Sequence, residues 1–215
     1  MRTTGNVTKR TRAIVGLAAA GAVLVSLAAC SSSGSKTPIA DVKSLTGNST
    51  SVALDAGFVK ALTTLKLTPG KVGTATLAGT TASFPITGGH VKVYKKGDIT
   101  PYVQGAIDHN GSGLSLTGGS TKVELMNFVI DPGSNSKLTG DVLVNGKSAA
   151  KGAKLFDLDG STLQPITTAG TVATLTGTTV YLSDTAAGLL DKTFKTNAVK
   201  GHLKIGIATI KANVG

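Results

Sequence analysis

The chain is predicted to be mainly β, an antiparallel β-sandwich or a partly open barrel with two short α-helices. Three observations point there. Gly, Thr, Val and Leu crowd the chain beyond residue 30, while aromatic residues make up 4% of the whole and tryptophan is absent, a composition of strands and turns. Short apolar stretches alternate with polar residues at period two and are interrupted roughly every ten residues by turn chemistry. Only two segments carry helical spacing.

The first helical segment lies between Ser51 and Leu67, where Leu54, Phe58, Leu62 and Leu65 fall on one face and Pro69-Gly70 is expected to end the helix. Strands are then predicted at Gly73 to Leu77, Thr81 to Ile86, Val91 to Tyr94, Tyr102 to Asp108, Gly113 to Leu116, Lys122 to Ile130, Leu138 to Val144, Ala153 to Leu158 and Val172 to Leu182. Turn signals separate them: Thr87-Gly88-Gly89, Asn110-Gly111, Thr117-Gly118-Gly119, Asp131-Pro132-Gly133 and Asn145-Gly146. Asn-Gly is a strong hairpin signal because both residues tolerate positive φ. In Lys122 to Ile130, Val123, Leu125 and Val129 occupy one alternating set and Met126, Phe128 and Ile130 the other, which predicts a strand covered on both faces, in a sandwich or beneath a helix. Ser183 or Asp184 caps the second helix, with Ala186, Leu189, Leu190 and Phe194 as its apolar face. Gly201 to Ala212 returns to a strand.

The amino terminus is a different kind of sequence. Arg2, Lys9, Arg10 and Arg12, with no acidic residue, precede the apolar stretch Ala13 to Ala29, the order of a secretory signal. That stretch is Ala- and Gly-rich and short for a ~30 Å hydrocarbon core. It ends in Leu27-Ala28-Ala29-Cys30, which resembles the lipobox of bacterial lipoproteins, where small residues admit the signal peptidase and the cysteine takes a diacylglyceryl group. The expected organisation is a signal peptide over residues 1–29, a lipidated Cys30 with a Ser/Gly tether over 30–50, and one extracytoplasmic β-rich domain over 51–215. Acyl chains on Cys30 give stable attachment to the extracellular side of the cell membrane, since each buried methylene contributes about 0.8 kcal/mol. Cys30 is the single cysteine, so the domain has no disulfide and depends on its core.

Loss of residues 1–29 lowers the net charge from +11 to +7, carried by 18 lysines and no arginine against 11 acidic residues. Nucleic-acid binders favour arginine for bidentate contacts and interleave aromatics for stacking. Neither feature is present, so no nucleic-acid partner is expected. A lysine-rich solvated face tolerates anionic lipid or anionic cell-wall polymers nearby.

Several stretches taken together, Phe84-Pro85-Ile86-Thr87-Gly88-Gly89, then Gly105 to Gly111 reading GAIDHNG followed by Gly113-Leu114-Ser115-Leu116, then Val123 to Asp131 reading VELMNFVID, then Leu138-Thr139-Gly140, resemble the HtaA-like domains of actinobacterial cell-surface proteins. The resemblance spans roughly Leu54 to Ala212 and implies a β-rich domain with short helices that can bind haem. In that family a tyrosine near the start of the domain holds the iron and a histidine from a hairpin tip supports it. The histidine element corresponds to His109, placed by Asn110-Gly111 at a hairpin mouth. The first helix reads Ala56-Gly57-Phe58-Val59-Lys60-Ala61-Leu62 and has no tyrosine, so a phenolate ligand would have to come from Tyr94 or Tyr102. Haem is thus the one cofactor the resemblance admits, and the ligand expected is haem or another hydrophobic small molecule.

No catalytic or metal site is expected. His90, His109 and His202 do not form a zinc spacing. Asp157-Leu158-Asp159-Gly160 starts like a calcium loop but lacks its terminal glutamate. The region after Cys30 contains no G-x-S-x-G elbow, and Glu124 is the only glutamate. The sequence therefore predicts a lipid-anchored surface protein that binds a hydrophobic ligand, with a structural or adhesive envelope lipoprotein as the alternative.

Overall fold

The computed structural model describes residues 36–214. The leader, its Leu27-Ala28-Ala29 motif and Cys30 lie outside the described residues.

Thirteen strands and two helices follow in order: β1 (Ala40–Val42), β2 (Thr46–Leu54), α1 (Ala56–Thr64), β3 (Thr68–Gly73), β4 (Thr76–Ala78), β5 (Thr81–Pro85), β6 (Gly88–Val93), β7 (Val103–Gly118), β8 (Thr121–Asp131), β9 (Lys137–Val144), β10 (Lys147–Asp159), β11 (Thr167–Ala169), β12 (Val172–Leu182), α2 (Asp184–Phe194) and β13 (Lys204–Asn213). The strands form one sheet in the order β1-β6-β7-β8-β9-β10-β12-β13-β2-β5-β4, with β3 added beside β7 and β11 beside β12. The sheet is antiparallel and curls into a half-barrel. Of the two predicted architectures, the open barrel is therefore the one adopted.

A hydrogen bond between the two arms draws the curl together. Leu45 N, just ahead of β2, donates to Gly89 O of β6 at 2.8 Å. It joins the β2 arm to β6 although six strands separate them along the sheet path.

Several local expectations are corrected. β1 and the start of β2 occupy the stretch expected to be tether: Asp41 pairs with Lys92, and Ser49 lies between Lys211 and Pro85. The polar sequence TGNSTS hides a strand whose alternate members Thr50, Val52 and Leu54 face inward. Helix α1 is shorter than predicted. Asp55 caps it by accepting from Gly57 N at 2.8 Å, and Lys66, at φ 54°, turns the chain out of it. Pro69 and Gly70 then belong to β3. The strand expected at Gly73 to Leu77 is split into β3 and β4 by Gly73, which takes φ +58° with the Gly111 carbonyl where a Cβ would stand.

Bulges account for the two larger differences. Asn110-Gly111 is no hairpin turn: β7 runs on through it, with a register shift between His109 and Gly113 against β8. In β8 the left-handed Asn127 (φ 55°) inserts one residue, and the register to β9 shifts between Met126 and Val129. Buried positions therefore pass from odd numbers (Val123, Leu125) to even (Phe128, Ile130) along the strand. The apparent two-faced burial is one face read through a phase change.

Asn145-Gly146 does form the predicted hairpin turn, with φ 51° and 77°. Ser183 does cap α2, its Oγ accepting from Ala186 N at 3.1 Å. Helix α2 lays Ala186, Leu189 and Leu190 over Val123, Leu125, Val142 and Leu155, and only about 10 Å³ of space is left between them. This fills one end of the half-barrel.

Candidate functional site

Beyond the helix-filled end, the curled sheet encloses a cavity of about 730 Å³, within the size range of small-molecule sites. Its deep wall is apolar. Phe84, Phe128 and Phe156 form a chain of edge-to-face contacts, with centroids 5.2 and 6.4 Å apart. Phe84 comes from β5, Phe128 from β8 and Phe156 from β10, so three separated strands supply it. Aliphatic residues such as Ile107, Ile130, Ala208 and Ile210 complete the lining.

The mouth is built differently. Its exposed residues come from three loops: Lys96, Gly97 and Thr100 between β6 and β7, Ser134 and Asn135 between β8 and β9, and Gly160 and Ser161 after β10. All three loops close strand pairs at the same end of the sheet. The cavity thus runs from a polar rim to an apolar floor.

His109 lies in the deep wall, 1% exposed, in the middle of β7 opposite Phe128. The expected place at an exposed hairpin mouth is wrong because Asn110-Gly111 forms a bulge that keeps the strand going. Its Nε2 lies 2.8 Å from the Thr50 hydroxyl and its Nδ1 3.4 Å from the Phe128 carbonyl. Nδ1–H donates to the carbonyl, and Nε2 accepts from Thr50. Burial pushes the imidazole pKa down to about 4, so the ring is neutral at neutral pH. The Thr50 bond crosses the interior from β2 to β7 and ties the two arms of the sheet at the cavity floor. Thr50 itself is 3% exposed and was hidden in sequence by the hydroxyl-rich stretch around it.

The tyrosines separate. Tyr102 lines the cavity, its hydroxyl donating to Gln164 O at 3.3 Å, and partial burial raises its pKa. Tyr94 is not part of the lining; its backbone N–H pairs with Tyr102 O at 2.7 Å just past β6. Of the three candidates named from sequence, His109 and Tyr102 line the cavity and Tyr94 does not. His202, outside the cavity, stacks on Tyr181 with centroids 4.3 Å apart. Asp159 accepts from Ser161 N and Oγ, and Asp157 pairs with Lys154.

An iron porphyrin needs room, apolar walls and an axial ligand. The cavity meets the first two. It does not present the third: the His109 Nε2 lone pair is taken by Thr50, and the Tyr102 hydroxyl is turned to Gln164. As arranged, the residues fit an apolar ligand without a metal better than one held through iron.

No family profile matches the chain, and no curated protein matches it. Among solved structures, the haem-binding protein HtaB from Corynebacterium glutamicum is similar at a TM-score of 0.46 and 12% identity, over 80% of this chain and 95% of that one. At that score the likeness carries neither fold nor ligand across to this chain.

Proposed function

We propose that this protein is a lipid-anchored, extracytoplasmic binding protein that holds a hydrophobic small ligand inside its half-barrel and catalyses nothing. One observation carries the reading: a cavity of about 730 Å³ left open in a sheet whose other end is packed by a helix to near-zero free space. A purely structural or adhesive lipoprotein would gain stability by filling that volume, because an unfilled apolar cavity costs dispersion contacts on every wall. The ionisable side chains of the lining are Lys96, Tyr102 and His109, and the last is neutral and bonded on both nitrogens, an arrangement suited to holding a ligand rather than to proton transfer. The Arg-rich leader and Leu27-Ala28-Ala29-Cys30 support anchoring at Cys30.

Titration of the acylated chain with the uncharged dye Nile red tests the cavity. Saturable one-to-one binding is expected, lost when Ala208→Trp fills the interior while circular dichroism stays unchanged; Ile210→Trp is the second filling variant should the first not fold. Unsaturable binding, or binding indifferent to both, would refute the reading. Haemin is titrated in parallel. A Soret shift abolished by His109→Ala would establish haem as the ligand, and no shift would remove haem. Mass spectrometry of the purified protein checks the anchor: a product that does not begin at an acylated Cys30 would defeat that part.

A further inference from the structure

We infer that the ligand is an anionic amphiphile, an acyl chain with a carboxylate or phosphate head, whose chain fills the apolar interior and whose head sits at the mouth beside Lys96. The inference rests on the hydrophobic-ligand reading above and names its chemical class. Three features of the cavity carry it.

First, polarity is graded along the cavity. The floor offers Phe84, Phe128 and Phe156, and the rim offers Thr100, Ser134 and Asn135. A wholly apolar ligand would leave that rim facing hydrocarbon, whereas an amphiphile matches both ends.

Second, the formal charge on the lining has one sign. Lys96 is the only side chain of the lining with a formal charge, and no carboxylate accompanies it there. It belongs to none of the ion pairs among the described residues; its neighbour Asp98 faces Lys36 at 3.8 Å. An unpaired ammonium beside a low-dielectric wall attracts an anion more strongly than the same charge in open water.

Third, the chain enters the domain at the mouth. Ile39 N donates to Val93 O at 2.8 Å, and Lys36 reaches Asp98 in the very loop that carries Lys96. From Cys30 to Lys36 is six residue steps, which extend about 20 Å at most. An acyl group on Cys30 therefore keeps Lys36, and the rim it contacts, within reach of a lipid surface, where amphiphiles of this chemistry are found.

The test is native mass spectrometry of the intact acylated chain with three probes: oleate, methyl oleate and lysophosphatidylglycerol. Oleate and lysophosphatidylglycerol are each expected to add one molecule per chain, with methyl oleate at least tenfold weaker. Lys96→Glu is expected to cut the preference for oleate over methyl oleate about tenfold, with Lys96→Gln intermediate. Whichever anionic probe binds more tightly assigns the head as carboxylate or phosphate. Methyl oleate equal to oleate, or indifference to Lys96→Glu, would overturn the head-group inference while Nile red binding kept the hydrophobic-ligand reading intact. Failure of Nile red and of every lipid would bring down that underlying reading instead.

Discussion

The two ends of the half-barrel are built from the same strands and serve opposite purposes. β8 gives Val123 and Leu125 to the filled end and Phe128 and Ile130 to the cavity, and β10 likewise divides Leu155 from Phe156 and Leu158. One end retains about 10 Å³ of space and the other about 730 Å³. Polarity does not make the difference, since both sets are apolar, aliphatic at the filled end and aliphatic and aromatic in the cavity. What differs is cover: α2 lies over one end only, and the other is roofed by loops. An apolar surface of this size costs stability when left unfilled, so the open end is where the fold gives up packing, the sacrifice that the proposed ligand would offset.

The comparison breaks most readily at paired leucines. Leu155 is fully buried beneath α2, and Leu155→Ala is expected to destabilise by about 2–5 kcal/mol, because its neighbours cannot collapse into the hole. Leu158, three positions on, is half-buried and already borders free volume. Leu158→Ala is expected to cost about 1 kcal/mol, since fewer contacts are lost. Urea unfolding midpoints at constant slope measure both. Equal costs would mean that the open end is packed as tightly as the closed one, and the contrast would fail.

The cavity floor gives a second, pH-dependent difference. His109 has a folded pKa of about 4 against an ordinary 6.5, owing to burial. Above pH 6.5 the ring is neutral in both folded and unfolded chains and exacts nothing. As pH falls from 6.5 towards 4, the unfolded chain takes up a proton the folded chain refuses, so stability declines by about 1.4 kcal/mol per unit, reaching a loss of roughly 3 kcal/mol. His109→Gln can keep a partner for Thr50 and does not titrate; its stability is expected to be flatter between pH 6.5 and 4. Parallel pH profiles for the two proteins would show that the imidazole is not buried as described.

How much of this could be read from the sequence follows the same division. Strands β8, β9 and β12 and helix α2 were legible because their apolar periodicity is local and their caps and turns, Ser183 and Asn145-Gly146, are chemically explicit. The bulges at Asn110-Gly111 and Asn127 were not, since an inserted residue changes the phase of burial without changing composition. The same bulge concealed where His109 sits. Thr50 was illegible for another reason: its strand owes its burial to pairing with β13 and β5, both distant in sequence, and its own residues are hydroxylic. The cavity, which exists only once the sheet has curled, had no local signature. Tyr102 and Tyr94 were equivalent candidates in sequence, and only the folded cavity separates them, with Tyr102 on its lining and Tyr94 off it.

The smallest expected effect concerns the cap that holds the helix over the filled end. Ser183 Oγ accepts from Ala186 N at 3.1 Å and donates to the Lys154 carbonyl at 2.6 Å, so one hydroxyl both starts α2 and ties it to β10. Ser183→Ala is expected to cost about 1–2 kcal/mol, the usual loss for an N-cap, with the freed carbonyl pushing it to the upper part of that range. Hydrogen exchange distinguishes where the loss falls. Amides of α2 and of β10 around Leu155 are expected to open more readily, whereas Nile red affinity, which reports the other end, is expected to stay unchanged. A parallel loss of dye binding would mean that the filled end and the cavity unfold together, and that the helix supports the open end as well as the closed one.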